Sequence, residues 1–221
     1  MDVRIFKKEQ EFVAAAMVRI LQACETPQGD RARVALSGGS TPVAVYQALA
    51  TQADFLEATE FYQVDERVVP LTDPRSNQKL IQASLKPINF YPFNTTLPIP
   101  DALASYESTL RALAPHPFDV VILGIGEDGH TASLFPNDPA LTEMDHWTAH
   151  TTTQVHEGHD RLTLTFPPIL ASKALLVLLK GASKRSMVEK LMSGTGNVKK
   201  NPALKLIGHS NLTVYFLDIT T

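Results

Sequence analysis

The stretch Gly124-Ile125-Gly126-Glu127-Asp128-Gly129-His130 gathers three glycines, two acids and a histidine behind an apolar run, 118–123, that reads as a strand. Its letters satisfy G-x-G-x-x-G, the spacing that seats a pyrophosphate at the amino end of a helix. A dinucleotide site also needs a long helix after the third glycine, and an acid closing a second strand about twenty residues on. "HTASLFPNDP" follows instead, and Pro136 and Pro139 leave room for about two turns, because an interior proline removes a hydrogen bond and clashes with the preceding turn. Asp145, at roughly the required distance, lies in "LTEMDHW" rather than at a strand end. Gly126 and Gly129 are better read as residues that let the backbone turn sharply and bring its amides near a ligand. They then present His130 at the start of a short helix, and imidazole is the side chain suited to draw a proton from water. Asp65 and Asp128 are both candidates to orient it. A histidine that only caps a helix is the bland alternative.

Two further clusters follow apolar runs. "SGGSTP" (37–42) places Gly38, Gly39, Ser40 and Thr41 after "ARVAL". Thr41 is expected to cap a helix whose first residue is Pro42. The free amides and positive dipole end would suit a phosphate. No Gly-Lys-Ser/Thr accompanies it, which argues against ATP or GTP, and an ordinary strand-to-helix turn is the alternative. In "VDERVVP" (64–70), adjacent Asp65 and Glu66 on an extended segment point to opposite sides, so one acid and Arg67 share a face. "HEGHD" (156–160) spaces its histidines three apart around a glycine, unlike a zinc-protease helix, and reads as a surface loop. "NVKKNP" reads as a solvated loop.

The elements that must position these groups alternate along the chain. Strands are expected at 3–6, 32–36, 60–64, 118–123, 161–166, 174–179 and 212–218, with helices at 8–24, after Pro42, near 76–85, 101–113 and 183–193. The near-continuous apolar runs "FDVVIL" and "ALLVLL" are strands buried on both faces. "RLTLTF" alternates, so a half-exposed or edge strand is expected. This order argues for an α/β fold, a three-layer Rossmann-like sandwich with a mostly parallel sheet and helices on both faces. Ligands of such sheets bind beyond the carboxyl ends of the strands, where all three clusters fall. Residues 1–221 read as one domain without a linker.

Composition narrows the function. A net charge of −3 with scattered basic residues argues against a nucleic-acid surface. The single Cys24, in an apolar helical pattern, reads as a small core residue and cannot form an internal disulfide. No signal peptide is read at the amino end, and the longest apolar run is too short to cross a bilayer. A cytoplasmic protein without membrane or nucleic-acid partners is expected.

Together, "ALSGGSTP" (35–42), "VDERVVP" with "SNQKLI" (76–81), "FDVVILGIGEDGHTASLFP" (118–136), "RLTLTFPPI" (161–169), "LLKGASKRSMVEKL" (178–191) and the closing "LTVYFLD" resemble the 6-phosphogluconolactonase family, in a wider group that includes glucosamine-6-phosphate deaminase. The resemblance runs in order over nearly the whole chain. It implies hydrolysis of the δ-lactone of 6-phosphogluconate, the second step of the oxidative pentose phosphate pathway, without a cofactor or metal. It implies His130 as general base with Arg67 near it, and the Gly38–Thr41 loop, Arg161 and Lys184 on the phosphate. The segment before Arg161 departs from the family by lacking a proline-rich approach. The deaminase loop resembles G-I-G-x-D-G-H-I-A-F-N-E-P, with a proton-relaying acid five residues after the histidine; Phe135 stands there in this chain, and Arg67 replaces an aromatic residue. A non-catalytic sugar-phosphate sensor is a further alternative. A monomer is expected, with a weak homodimer as the alternative.

Overall fold

The computed structural model describes residues 1–27, 29–155 and 160–219. Its elements in chain order are β1 (Asp2–Phe6), α1 (Glu9–Cys24), β2 (Ala32–Leu36), α2 (Val43–Leu49), α3 (Ala53–Ala58), β3 (Thr59–Gln63), β4 (Asp65–Arg67), α4 (Asn77–Ser84), β5 (Asn89–Tyr91), α5 (Ile99–Arg111), β6 (Val120–Leu123), β7 (Thr148–Thr152), β8 (Asp160–Leu164), α6 (Phe166–Leu170), β9 (Leu175–Lys180), α7 (Arg185–Ser193) and β10 (Leu212–Leu217).

Seven strands form one sheet in the order β1-β10-β9-β6-β2-β3-β5. Every pairing in it is parallel. Alternate side chains along each strand enter opposite cores. Val34 and Leu36 of β2 pack with Phe12, Ile20, Tyr46 and Ile81 of α1, α2 and α4. Ala35 faces the other layer, which holds Tyr106 of α5, Ile169 of α6 and Val188 of α7. Helices therefore cover both faces, as the apolar runs require.

The chain moves from β2 toward β3 and β5, then returns to β6 and continues toward β9 and β10. The β2–β6 boundary is thus the topological switch point, where a crevice opens between diverging loops. The glycine loop after β2 and the histidine loop after β6 flank it.

A second, antiparallel sheet departs from the sequence-based expectation. It has the order β4-β8-β7, so the Asp-Glu-Arg segment leaves the main sheet one residue after β3. "RLTLTF" is not a half-exposed or edge strand: β8 is central here, and Leu162, Thr163 and Leu164 are all fully buried. Its alternation misleads because threonine can satisfy its hydroxyl internally. Thr163 Oγ1 donates to the Leu164 carbonyl and accepts from the Ser133 amide, while Thr165 Oγ1 donates to the His146 carbonyl. The small sheet shares one core with the large one, since Leu162 and Leu164 pack in the same cluster as Val121 and Val177. The structure adds α3, β5 and β7 to the expected elements; β5 is a three-residue edge strand inside the proline-rich connection.

Candidate active site

Beyond the carboxyl ends of β2, β6 and β9 lies a cavity of about 360 Å³. Gly38, Gly39, Ser40, Thr41, Asp65, Arg67, Gly126, His130, Arg161 and Lys184 all line it. Of the residues expected to catalyse, to bind substrate or to support the histidine loop, Asp128 and Gly129 are not in the wall, and both belong to the loop that carries His130.

The histidine loop is built by turns. His130 does not begin a helix: the backbone closes on itself through Gly126 N–H to the His130 carbonyl (2.8 Å) and bridges joining Thr131 to Ile125 and Leu134. No helix follows Gly129 to hold a pyrophosphate. Two of the three glycines here, Gly126 and Gly129, have a physical reason. A β-carbon at Gly126 would stand 2.2 Å from His130 Nδ1, so the imidazole packs on bare backbone. Gly129 has φ +86°, in the left-handed region, and a β-carbon there would meet the Asn201 backbone at 2.9 Å. The 197–202 loop is accordingly more than a solvated surface: Ala203 N–H donates to the Gly129 carbonyl and Asn137 N–H to that of Lys199.

Asp128, not Asp65, orients the histidine. Its Oδ1 lies 2.6 Å from His130 Nδ1 and also accepts from the His130 amide at 3.1 Å. An ionised carboxylate only accepts, so Nδ1 carries the hydrogen and Nε2 is the nitrogen able to take a proton. The Phe135 ring packs beside the imidazole, centroids 5.0 Å apart. Ala132, in the cavity wall, adopts φ +53°, a conformation costly for a residue with a side chain.

Asp65 has a different set of partners. Its Oδ2 accepts from Ser133 Oγ at 2.6 Å and its Oδ1 from Asn77 Nδ2 at 3.3 Å. Ser133 in turn ties the histidine loop to the whole small sheet, donating from its amide to Thr163 Oγ1 and accepting from Thr151 Oγ1. Glu66 turns away from the cavity, as the alternation along β4 demands. Fully buried, it accepts from the amides of Arg67, Asn77 and Gln78 and from the Gln63 side chain, which binds β4 to the start of α4.

Arg67 and Arg161 stand directly opposite each other in the antiparallel ladder of β4 and β8. Directly opposed like charges are destabilising unless something compensates them. Burial and the neighbouring Arg67 guanidinium pull Arg161 down from 12.5 to about 10, which still leaves Arg161 charged at neutral pH. Arg67 Nη1 donates to the Arg75 carbonyl, while its buried Nε has no hydrogen-bond partner. Lys184 closes a turn of 3-10 helix after β9 and makes no side-chain hydrogen bond or ion pair among the described residues. Two opposed guanidiniums and an ammonium around one cavity favour an anion.

The glycine loop differs in one detail from expectation. Thr41 does not cap α2, because the Val43 amide turns back to the Ser40 carbonyl and Pro42 already has helical dihedrals. The sequence reading also missed Asn77 and Lys180, both in the wall. Lys180 Nζ pairs with Glu9 at 2.7 Å. Only the Ser76 cap of α4 hinted at Asn77, and nothing local marked it as facing a cavity. His156 and His159 lie outside the described residues. No group of three or more His, Cys, Asp or Glu among the described residues is placed to hold a metal ion. No described helix is long and apolar enough to cross a membrane.

A parallel sheet that opens at its switch point onto a cationic crevice, with an acid-backed histidine on the rim, defines a class: α/β enzymes that act on small anionic substrates. Within that class the chain belongs to the family of glucosamine-6-phosphate isomerases/6-phosphogluconolactonase, whose profile matches residues 7–215. The 6-phosphogluconolactonase of Synechocystis sp. is 34% identical, over 98% of this chain and 95% of its own. The crystal structure of 6-phosphogluconolactonase from Thermotoga maritima superposes with a TM-score of 0.85 at 29% identity, covering 99% of each chain. A monomeric glucosamine-6-phosphate deaminase superposes with a TM-score of 0.84 at 22% identity over 99% of this chain and 97% of its own, a likeness of fold alone. The backbone therefore does not separate the two branches of the family; side chains in the cavity must.

Proposed function

We propose that this protein hydrolyses 6-phospho-D-glucono-1,5-lactone to 6-phosphogluconate, with His130 as the general base. The observation that carries this reading is the 2.6 Å contact between Asp128 and His130 Nδ1 on the wall of a cavity lined by Arg67, Arg161 and Lys184. The names of the relatives support the substrate. Phe135 argues against the deaminase branch, since a phenyl ring beside the imidazole relays no proton.

In the reaction, His130 Nε2 takes a proton from a water molecule as its oxygen bonds to the lactone carbonyl carbon. Asp128 stabilises the imidazolium that forms, and general-base assistance of this kind contributes roughly 10²–10⁴-fold. Cationic side chains and loop amides stabilise the oxyanion. The intermediate collapses by breaking the bond from carbon to ring oxygen, which receives the proton from His130. The product acid then loses its own proton to solvent, leaving a carboxylate and a hydroxyl group. Arg161, Lys184 and the Gly38–Thr41 loop hold the phosphate, and so place the distant carbonyl against His130. No step calls for a cofactor.

The core shared by both sheets supports reading residues 1–221 as one domain. The cytoplasmic location and monomeric state expected from the sequence belong to the same proposal. Turnover of freshly made lactone, measured above its spontaneous hydrolysis, is the test. The wild type is expected to be active and His130→Ala inactive with nearly unchanged affinity for 6-phosphogluconate. Ammonia release from glucosamine 6-phosphate would assign the protein to the other branch, and binding without turnover would make it a sensor.

A further inference from the structure

Asn77 opens α4, and only 1% of it is exposed although it belongs to the cavity wall. Its Nδ2 donates to the Asp65 carbonyl at 2.9 Å and to Asp65 Oδ1 at 3.3 Å, and its backbone amide donates to Glu66 at 2.7 Å. The side-chain amide is thus clamped, with both donors spent on β4 and Oδ1 turned away. That oxygen is buried without a hydrogen-bond partner. It meets Gly38 instead: a β-carbon there would stand 1.8 Å from Asn77 Oδ1, 2.2 Å from Cγ and 2.8 Å from Nδ2.

The two adjacent glycines of the loop therefore have different causes. Gly39 has φ +89° and nothing within 4 Å of a β-carbon, so its reason is backbone conformation. Gly38 is outside the left-handed region, so its reason is the volume that Asn77 fills. A buried acceptor left without a donor is costly, and a side chain chosen for packing alone would avoid it. The amide meets two needs at once: it gives donors to Asp65 and thickness beneath Gly38.

We propose that Asn77 is a positioning residue, a strut that fixes the distance between the Gly38–Thr41 loop and the Asp65–Arg67 strand. This rests on reading the cavity as the site for a phosphorylated lactone, in which the loop grips phosphate while His130 and Asp128 act from a separate loop. A change in strut length moves the grip, not the base, so KM carries the effect.

The test compares the wild type with Gly38→Ala, Asn77→Ala and the pair, by steady-state kinetics on the lactone and by thermal melting. Each single variant is expected to raise KM at least ten-fold, with kcat changed less than three-fold. Adding Gly38→Ala to Asn77→Ala is expected to lower KM at least three-fold and raise the melting temperature, because the new methyl enters the space the amide vacated. Gly39→Ala serves as the control and gains nothing from Asn77→Ala. The strut is overturned if Gly38→Ala is harmful in both backgrounds, if Asn77→Ala keeps KM within two-fold of the wild type, or if kcat falls while KM holds. Should Asn77→Ala fail to fold alone, a cooperative melt in the double variant is the expected result and its absence overturns the strut. A wild type that leaves the lactone intact sinks the proposed function, while the melts still decide the strut.

Discussion

Replacing Asp128 by asparagine tests the catalytic reading most directly. The 2.6 Å contact with His130 Nδ1 is a charge-assisted hydrogen bond whenever the imidazole carries the proton it has taken from water. Such bonds contribute about 1.5–3 kcal/mol, against about 1 kcal/mol for a neutral pair. Asparagine keeps an acceptor for Nδ1–H and for the His130 amide, and loses only the charge. The expected cost of about 0.5–2 kcal/mol is a fall in kcat of roughly 2- to 30-fold, at 1.36 kcal/mol per decade. Alanine removes the acceptor as well, and about 1.5–3 kcal/mol corresponds to roughly 10- to 150-fold. The side chains of His130 and Asp128 are 22% and 31% exposed, so solvent screening places both variants in the lower half of their ranges. KM should hold, because in the proposed mode the phosphate is held by Arg161, Lys184 and the Gly38–Thr41 loop. Lactone is generated in place from glucose 6-phosphate, product is followed by its oxidative decarboxylation, and the spontaneous rate is subtracted. An Asp128→Asn enzyme with full kcat, an alanine variant no worse than asparagine, or a loss confined to KM would refute the orienting role.

Lys184→Ala is expected to raise KM at least ten-fold with kcat nearly unchanged; an unchanged KM removes Lys184 from the phosphate grip. 6-Phosphogluconate at a hundred times its Kd should stabilise the protein by about 2.7 kcal/mol, or roughly 5–11 °C in melting temperature for a chain of this size. At the same ligand concentration Arg161→Met should lose most of that shift, and a full shift would refute its part in binding. Arg161 is charged below about 10 and loses its proton as pH rises past that value, so product affinity should hold through neutral pH and fall above about 10; a loss beginning near neutrality would assign the grip elsewhere. Burial, aided by Asp119, pushes the Cys24 thiol from 9.0 up to about 12, so at pH 8 the folded protein should react with a disulfide reagent far more slowly than the unfolded chain, the thiolate being roughly a thousandfold scarcer. Equal rates would show Cys24 to be accessible.

Much of the fold could be read locally, because a strand buried on both faces must be apolar at nearly every position. The runs 118–123, 174–179 and 212–218 announce such strands without any partner in view. Harder to read were the elements whose burial depends on polar side chains satisfied at a distance. Thr163 looks like a solvent face until Ser133 is brought to it, and the Asp-Glu-Arg triplet looks like the end of β3 until β8 pairs with it.

The candidate site divides along the same line. Glycines at turns, a histidine after a buried strand and a serine-threonine loop are visible in sequence because their backbone demands are local. Alternation alone sent Glu66 and Asp65 to opposite sides. The sequence left open which acid meets His130, and geometry chose Asp128, two residues away, while Asp65 was engaged by Ser133 and Asn77. The opposition of Arg67 and Arg161 and the wedge of Asn77 under Gly38 exist only in three dimensions. Residue type and periodicity determine which segments are buried and which turns are possible; long-range packing alone decides which side chains, far apart in the chain, share one small charged volume.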